Sequence, residues 1–278
     1  MLGATLLAVG AAFLHAGWNF AIKQPASGQH ADRWHALWGQ FFVAGLGCLV
    51  LVIALGGVPA TAWLWASISG VTHVAYVWFL AKAYDIGDFS VSYPIARGSG
   101  AVLAAVGGVV ALDDSLSTAN IAGIAVCAVG LWLIAGPADN EHVRAALAVA
   151  VAIGIYSVVD SHGSRTTGGN LYPLTTLFAC AAFTTLHGFA LGRRVTMAQT
   201  LKFRWRRLAL TGAASVLTYW MVLIAVQRAS VGYVTALRES SVVIAAIVGV
   251  AFLREPNGRR RIAAASLALL GLVILVAG

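Results

Sequence analysis

Glu239 is a carboxylate placed well inside an apolar stretch long enough to cross a bilayer. An ionised side chain at that depth costs at least about 2.5 kcal/mol on insertion scales, so it needs a function or a partner. In a cavity it would bind an amino group or a proton; packed against another helix, it would pair with Arg238 or Lys82. Because adjacent side chains on a helix point about 100° apart, we do not expect Arg238 and Glu239 to form a simple salt bridge with each other.

Arg97 and Arg238 occupy similar motifs, SYPIARGSG and YVTALRESS, and each is followed two residues later by a serine, Ser99 or Ser240. Such an arginine either extends to the nearer membrane surface or faces protein or water near the cytoplasmic mouth of a cavity, where it would bind substrate or gate its entry. Both interpretations stay open. Pro94 is expected in the first turn of its helix, where its missing N–H matters least.

Polar side chains also recur at helical spacing. His15 and Asn19 lie four residues apart, and Tyr156 and Asp160 repeat that spacing. Residues four apart share one face of a helix, so these stripes either line a central cavity or hold helices together through polar contacts. Asp160, at the end of its predicted span, favours the structural interpretation. Four more side chains deep in apolar stretches complete the candidate cavity lining: His73, Tyr76, Trp78 and Tyr219.

The composition excludes a soluble globular protein. Of the 278 residues, 60% are hydrophobic and 10% are charged, whereas about 25% of the residues in a soluble domain are charged. The net charge of +8 is typical of basic loops between membrane spans, so we expect no nucleic-acid partner. No nucleophile elbow, phosphate-binding loop or metal-ligand spacing occurs, and we therefore predict neither an enzyme nor a cofactor or metal site.

Charges, prolines and glycines divide the chain into ten stretches, each near the length of about 20 residues that crosses a bilayer as a helix. Because backbone groups must pair internally in lipid and the apolar runs do not alternate, helices are favoured over a barrel. We therefore predict an all-α polytopic membrane protein with one long connection, 192–206. The predicted helices are 2–22, 34–56, 62–84, 91–111, 119–136, 143–160, 172–191, 207–227, 231–253 and 260–277.

The loop charges predict the orientation in the membrane. Connections after odd-numbered helices carry fourteen Lys and Arg residues, whereas the other connections carry two, Arg165 and Arg228. Since cytoplasmic loops are enriched in Lys and Arg, the odd connections should be cytoplasmic. Both termini are then periplasmic in a bacterial inner membrane.

The two halves of the chain match each other at an offset of 141 residues. Arg97 falls on Arg238, Asn19 on Asp160, and Gly130 on Gly271. Five helices per half is an odd number, so the second half must be inserted upside down relative to the first. We predict two inverted repeats, 1–136 and 142–278. Such repeats place a site near the midplane between them, and rocking of one against the other gives alternating access.

Three motifs give the chain a family resemblance: HAGWNFAIK, AKAYDIGDFSVSYPIAR and FLREPNGRRRIAAASLALLGLVIL. The chain resembles EamA-type exporters, the ten-helix branch of the drug/metabolite transporter superfamily. The resemblance implies secondary transport of a small-molecule substrate, often an amino acid, with YddG-like exporters of aromatic and other amino acids as the nearest type. It leaves the oligomeric state open, with a monomer possible.

The alternative function is efflux of multiple drugs or lipophilic cations in the same fold, with Glu239 as the proton site. The abundant Trp and Tyr residues favour this alternative. Against it, the four-helix multidrug relatives use a glutamate in the first helix, where this chain has only His15 and Asn19 as polar candidates.

Overall fold

Ten α-helices run along the described part of the chain, and no β-strand occurs there. A computed structural model describes residues 2–23, 32–112, 117–135, 139–167, 171–226 and 238–277. The helices are α1 Leu2–Lys23, α2 Arg33–Ala54, α3 Ala60–Ile86, α4 Phe89–Leu112, α5 Thr118–Ala135, α6 Asn140–Thr167, α7 Tyr172–Ala190, α8 Arg194–Val226, α9 Ser241–Ala251 and α10 Gly258–Ala277.

The helices have the character of membrane spans. Helices α1 to α4 and α6 combine sufficient length and hydropathy to cross a bilayer, and the shorter α5 and α9 are also apolar. Many large apolar side chains, among them Val110 and Leu210, remain exposed on the outside of the bundle. In lipid such exposure costs nothing, because the hydrocarbon is as apolar as the side chains. The prediction of an all-α polytopic membrane protein is confirmed.

Two predicted boundaries in the second half of the chain are corrected. The segment 194–206, expected as a long loop, is the first part of α8; its many Lys and Arg side chains are accommodated on an amphipathic helix that buries Met197. Helix α6 continues to Thr167, seven residues past its predicted end. Of the predicted ninth span, 231–237 lie outside the described residues.

Helix α4 begins at Phe89, two residues earlier than predicted, so Pro94 lies inside the helix rather than in its first turn. The reason is a cap that the sequence did not reveal. The carboxylate of Glu255, from the turn between α9 and α10, accepts hydrogen bonds from the backbone N–H groups of Phe89 (2.6 Å) and Ser90 (2.9 Å). These bonds satisfy two of the N–H groups that a helix start leaves without intrahelical partners.

Basic side chains from connections that are distant in sequence meet at one end of the bundle. Lys23 donates to the carbonyl of Gly87, Arg33 donates to the carbonyl of Lys23, and Arg261 binds Asp88. We call this the basic end. Its contacts bring together the connections after α1, α3 and α9, as the loop charges predicted.

Helices α5 and α10 meet through an internal twofold contact. Gly130 of α5 packs against the backbone of Ala268, and Gly271 of α10 packs against the backbone of Cys127. Cys127 and Ala268 are themselves 141 residues apart, as are the two glycines. The two contacts are therefore equivalent under the repeat found in the sequence.

The first helix of each repeat packs mainly on the other repeat. Helix α6 lies against α3 and α4, and α1 lies against α8 and α9, whereas α1 and α2 contact each other little. We call α3, α4 and α6 the first bundle, and α1, α8 and α9 the second bundle. Each bundle thus combines helices from both halves of the chain.

We expect Gly130→Ala to destabilise the protein by about 1–3 kcal/mol, because the new methyl group must displace helix backbone. Gly271→Ala should cost a similar amount, since its environment is equivalent. Gly47→Ala is the matched control: a Cβ there meets no atom within 4 Å, and alanine favours a helix by up to about 1 kcal/mol over glycine. Thermal unfolding in detergent measures all three. Equal melting temperatures for Gly130→Ala and Gly47→Ala would contradict the close contact.

Candidate functional site

A small closed cavity lies among α1, α3, α4 and α6. Its volume is about 10 Å³, which is room for about one water molecule. A metabolite does not fit in this conformation. The lining residues are His15, Asn19, Tyr76, Leu80, Tyr84, Tyr93, Ala96, Arg97, Val149 and Ile153.

Four of the predicted candidates, His15, Asn19, Tyr76 and Arg97, line this cavity together. They come from three different helices that are well separated in sequence. The polar side chains predicted to share one face of α1, His15 and Asn19, therefore both line the cavity.

Arg97 forms a buried ion pair with Glu239. The side chains are 9% and 1% exposed, so neither charge reaches the membrane surface. Arg238 also binds Glu239, with 3.1 Å between Nη2 and Oε1. The expectation that Arg238 and Glu239 would not pair is wrong. Adjacent side chains leave a helix in different directions, but the long arginine side chain still reaches the carboxylate of Glu239.

The cluster of Arg97, Arg238 and Glu239 carries one net positive charge. Lys82, the other basic partner considered for Glu239, instead pairs at the surface with Glu141 at 3.0 Å. Two guanidinium groups therefore share a single carboxylate in a region with little solvent. Such a cluster favours an additional anionic group.

Several buried polar atoms of the cluster have no hydrogen-bond partner among the described residues. They are Nε2 of His15, Oε2 of Glu239, and Nε of Arg97 and of Arg238. Most buried polar groups in proteins are paired, so unpaired ones need an explanation. Here they provide donors and a free carboxylate oxygen for a polar ligand.

Two tyrosines of the cavity wall were not among the candidates. Tyr84 donates to Oδ1 of Asn19 at 2.8 Å, and Tyr93 donates to Oγ of Ser241 at 3.1 Å. Helical spacing could have revealed both, because Tyr84 lies eight residues after Tyr76 and Tyr93 lies four residues before Arg97. Both tyrosines tie the cavity wall to the second bundle.

Aromatic rings pack next to the cavity. His73 stacks on Tyr156 with 4.4 Å between ring centroids, and Tyr76 meets Tyr156 edge-on at 5.8 Å. Tyr219 lies within electrostatic range of Tyr156 and Arg238. These candidates from α3, α6 and α8 therefore form a group beside the ion cluster.

The remaining candidates lie elsewhere. Trp78 is 39% exposed and lines an open groove of about 400 Å³ between α3 and α7, next to His187. Ser99 is partly exposed on α4, and Ser240 forms the turn before α9. None of these three is part of the cavity wall.

A polar network closes the basic end of the cavity. Arg261 binds Asp88 at 2.6 Å and Oγ of Ser90 at 2.8 Å, beside the Glu255 cap of α4. Lys23 donates to the carbonyl of Tyr84 at 2.7 Å, one residue of the cavity wall. The network joins α1, the start of α4 and the turn between α9 and α10, so the two bundles are held together there.

Asp32 makes a second link at the basic end. It caps α2 by accepting from the N–H of Trp34 at 2.8 Å, and it binds Arg193 at 2.8 Å. Burial acts to raise the pKa of Asp32, but the hydrogen bonds from His35 and Trp34 and the charge of Arg193 outweigh it and lower that pKa. The carboxylate is thus kept ionised, which maintains the link between α2 and α8.

The second half of the chain matches a known family: residues 143–277 match the EamA-like transporter family. Residues 143–277 are an EamA-like transporter domain. The predicted resemblance to EamA-type members of the drug/metabolite transporter superfamily is confirmed, while the YddG-like specificity stays a prediction. No curated protein matches the chain significantly.

Solved structures extend the similarity to the whole chain. One crystal structure superposes with a TM-score of 0.63 at 17% identity, covering 98% of this chain and 96% of its own. At that identity the match shows a common fold and nothing about substrate. The shared fold therefore includes the first half of the chain, where the family match does not reach.

We expect Glu239→Gln to lower stability by about 3–5 kcal/mol, because two buried guanidinium groups lose their counter-charge. Arg97→Gln should cost less, since Arg238 still pairs with Glu239. The double variant Arg97→Gln/Glu239→Gln should be more stable than the sum of the two effects predicts. Thermal unfolding in detergent measures each variant.

Lys82→Gln serves as the control, because its exposed pair with Glu141 contributes at most about 1 kcal/mol. Strict additivity of the Arg97 and Glu239 substitutions would show that the two side chains do not interact.

Proposed function

We propose that this EamA-like transporter exports amino acids or similar small metabolites from a bacterial cytoplasm across the inner membrane by alternating access. The observation that carries the proposal is the Arg97–Glu239–Arg238 cluster beside a central cavity. A transporter with such a site binds a ligand that brings both an anionic and a cationic group.

The charges of the cluster favour an α-amino acid. Arg97 and Arg238 would bind a carboxylate through charge-assisted hydrogen bonds, which are about twice as strong as neutral ones. The free Oε2 of Glu239 would accept a hydrogen bond from the ammonium group. A zwitterion adds no net charge to the membrane interior, whereas a simple anion or cation does.

The neighbouring aromatic rings would pack against the side chain of the substrate. His73, Tyr76 and Tyr156 pack against one another beside the cavity. If these rings separate, an apolar or aromatic side chain can take the place of their mutual contacts. This supports aromatic and other bulky amino acids as the preferred substrates.

Binding and opening are coupled through the ion pair. Arg97 belongs to the first bundle, while Glu239 comes from the segment leading into α9 of the second bundle. A substrate carboxylate competes with Glu239 for Arg97, so binding loosens the link between the bundles. Rocking of one bundle against the other then exposes the cavity to one side at a time.

The basic-end network acts as the cytoplasmic gate in this proposal. Opening it separates Arg261 from Asp88 and Ser90, and Lys23 from the carbonyl of Tyr84. The excess of Lys and Arg in the same connections supports a cytoplasmic location, with both termini periplasmic.

Efflux of lipophilic cations is the second candidate. The free Oε2 of Glu239 and the adjacent aromatic rings favour it, because aromatic faces attract cations. The two arginines oppose it, since they repel a ligand that lacks an anionic group.

Counterflow into proteoliposomes separates the two functions. We expect saturable exchange of aromatic amino acids, and little or no exchange of the corresponding amino-acid amides, which lack the carboxylate. A cationic dye should not compete. Competition by the dye without amino-acid flux would support the second candidate, and absence of flux for the whole amino-acid panel would contradict the proposed function.

Glu255→Gln should open the basic end more often, because it weakens the cap of α4 and the link to Arg261. A loss of 1–2 kcal/mol changes a two-state population by roughly 5- to 30-fold. The measurement is the labelling rate of Ala96→Cys by an impermeant thiol reagent in inside-out vesicles, with Cys48, Cys127 and Cys180 replaced by alanine.

Glu141→Gln is the matched control, an exposed carboxylate at the same end. Equal labelling rates in the Glu255→Gln and Glu141→Gln backgrounds would rule out a gate at Glu255.

A further inference from the structure

Asp160 is a second carboxylate within the membrane helices, and it is separate from the ion cluster. It lies on α6 seven residues before the end of the helix at Thr167, about 10 Å by the helical rise. The start of α6 is at the basic end, where Glu141 pairs with Lys82. Asp160 is therefore close to the opposite end of the bundle.

The partners of Asp160 among the described residues are hydroxyl groups. Tyr172 donates to Oδ1 at 3.1 Å, and the side chains of Ser69 and Thr176 also interact with the carboxylate. These partners come from α3 and α7. A carboxylate held by neutral hydroxyls in a partly buried place can exist either ionised or protonated, because the hydroxyl groups can both donate and accept.

A continuous path of polar side chains leads from Asp160 to the central cavity. Ser69, beside Asp160, also contacts His73, with 3.4 Å between Oγ and Nδ1. His73 stacks on Tyr156, one helical turn from Asp160. Tyr156 lies within electrostatic range of Asp160 on one side and of Arg97 on the other. Tyr156 therefore has both Asp160 and the ion cluster among its charged neighbours.

Every helix packed around Asp160 contributes titratable or polar groups in the described part of the chain, and His162 and Arg165 lie within five residues of it on α6 itself. These neighbours are Ser69 and His73 of α3, Tyr172, Thr176 and Cys180 of α7, Tyr219 of α8, and Tyr156 of α6 itself.

We propose that Asp160 is a proton-binding site that couples inward proton movement to substrate export. This inference rests on the proposed function. Water at the end opposite the basic end gives a proton to Oδ of Asp160, forming one O–H bond and neutralising one carboxylate. After the bundles have rocked, Asp160 returns that proton to water on the other side, so protons and charge balance over the cycle.

Neutralisation of Asp160 changes the electrostatic balance at the cavity. In this proposal the negative charge of an ionised Asp160 acts on the two guanidinium groups across Tyr156 and weakens their hold on Glu239. Protonation removes that effect, so the two arginines bind Glu239 more tightly and the substrate carboxylate is released. Since protons are more abundant outside an energised cell, release is favoured on the outside.

The test compares wild type, Asp160→Asn and Asp160→Glu in proteoliposomes that contain a pH-sensitive dye. We expect substrate-dependent proton movement in wild type, its loss in Asp160→Asn, and substantial recovery in Asp160→Glu. Substrate counterflow, which needs no net proton movement, should persist in Asp160→Asn at saturating substrate but with a higher half-saturating concentration, because the neutral side chain favours release. Persistence of counterflow also shows that this variant is folded.

Infrared difference spectroscopy of purified protein adds a readout that needs no substrate. A change of pH should produce a carboxylic-acid C=O band in wild type that is absent in Asp160→Asn and retained in Glu141→Gln, a variant at the exposed start of the same helix.

The outcomes separate the two proposals. Substrate-dependent proton movement in Asp160→Asn equal to that of wild type, or an unchanged infrared band, overturns the role of Asp160. Amino-acid counterflow without proton coupling in wild type overturns it as well, while leaving the proposed function intact. A titrating Asp160 band without amino-acid flux contradicts the proposed function, and leaves the proton site to be tested with other cargo.

Discussion

The ion pair between Arg97 and Glu239 constrains the rest of the molecule, because a bilayer interior offers almost no solvent to screen it. Removing two charges from water is expensive, and their mutual attraction offsets that cost only when the geometry is favourable. Helices α4 and α9 must therefore stay close enough to keep the pair intact. Arg238 shares the same carboxylate. Two positively charged groups therefore depend on one negatively charged group, and a change at Glu239 affects both.

Small residues and exchanged helices make that geometry possible. The glycines of α5 and α10 allow two backbones to approach closely, which van der Waals packing in a membrane requires. The exchange of α1 and α6 between repeats places residues of both halves around one cavity. Tyr84 and Tyr93 then connect the wall of the first bundle to Asn19 and Ser241 of the second.

Much of this architecture was predictable from the sequence, because it follows from long apolar stretches and from a repeat that extends over many residues. Apolar length predicted the helices, and the offset of 141 residues predicted that Gly130 and Gly271 are equivalent. The contact between Arg238 and Glu239 was not predictable, because it depends on the conformation of a long arginine side chain.

Other features depended on tertiary contacts that no local pattern encodes. The extension of α4 follows from a carboxylate supplied by Glu255, far along the chain. The helical start of α8 was hidden because a dense set of basic residues is typical of a loop. The roles of Tyr84 and Tyr93 were missed for a different reason: aromatic residues near the ends of membrane spans are usually interfacial.

The exchange of first helices has a consequence for biosynthesis. Helix α1 leaves the ribosome first, but its main partners, α8 and α9, are made last. Until they arrive, α1 has only its contacts with the first bundle, such as the hydrogen bond from Tyr84 to Asn19. Contacts between such distant segments slow folding, because a long stretch of chain must be ordered before they form. The insertion machinery or lipid must therefore cover the face of α1 that later packs on α8 and α9 through most of translation. A chain truncated before α8 would leave this helix exposed to degradation.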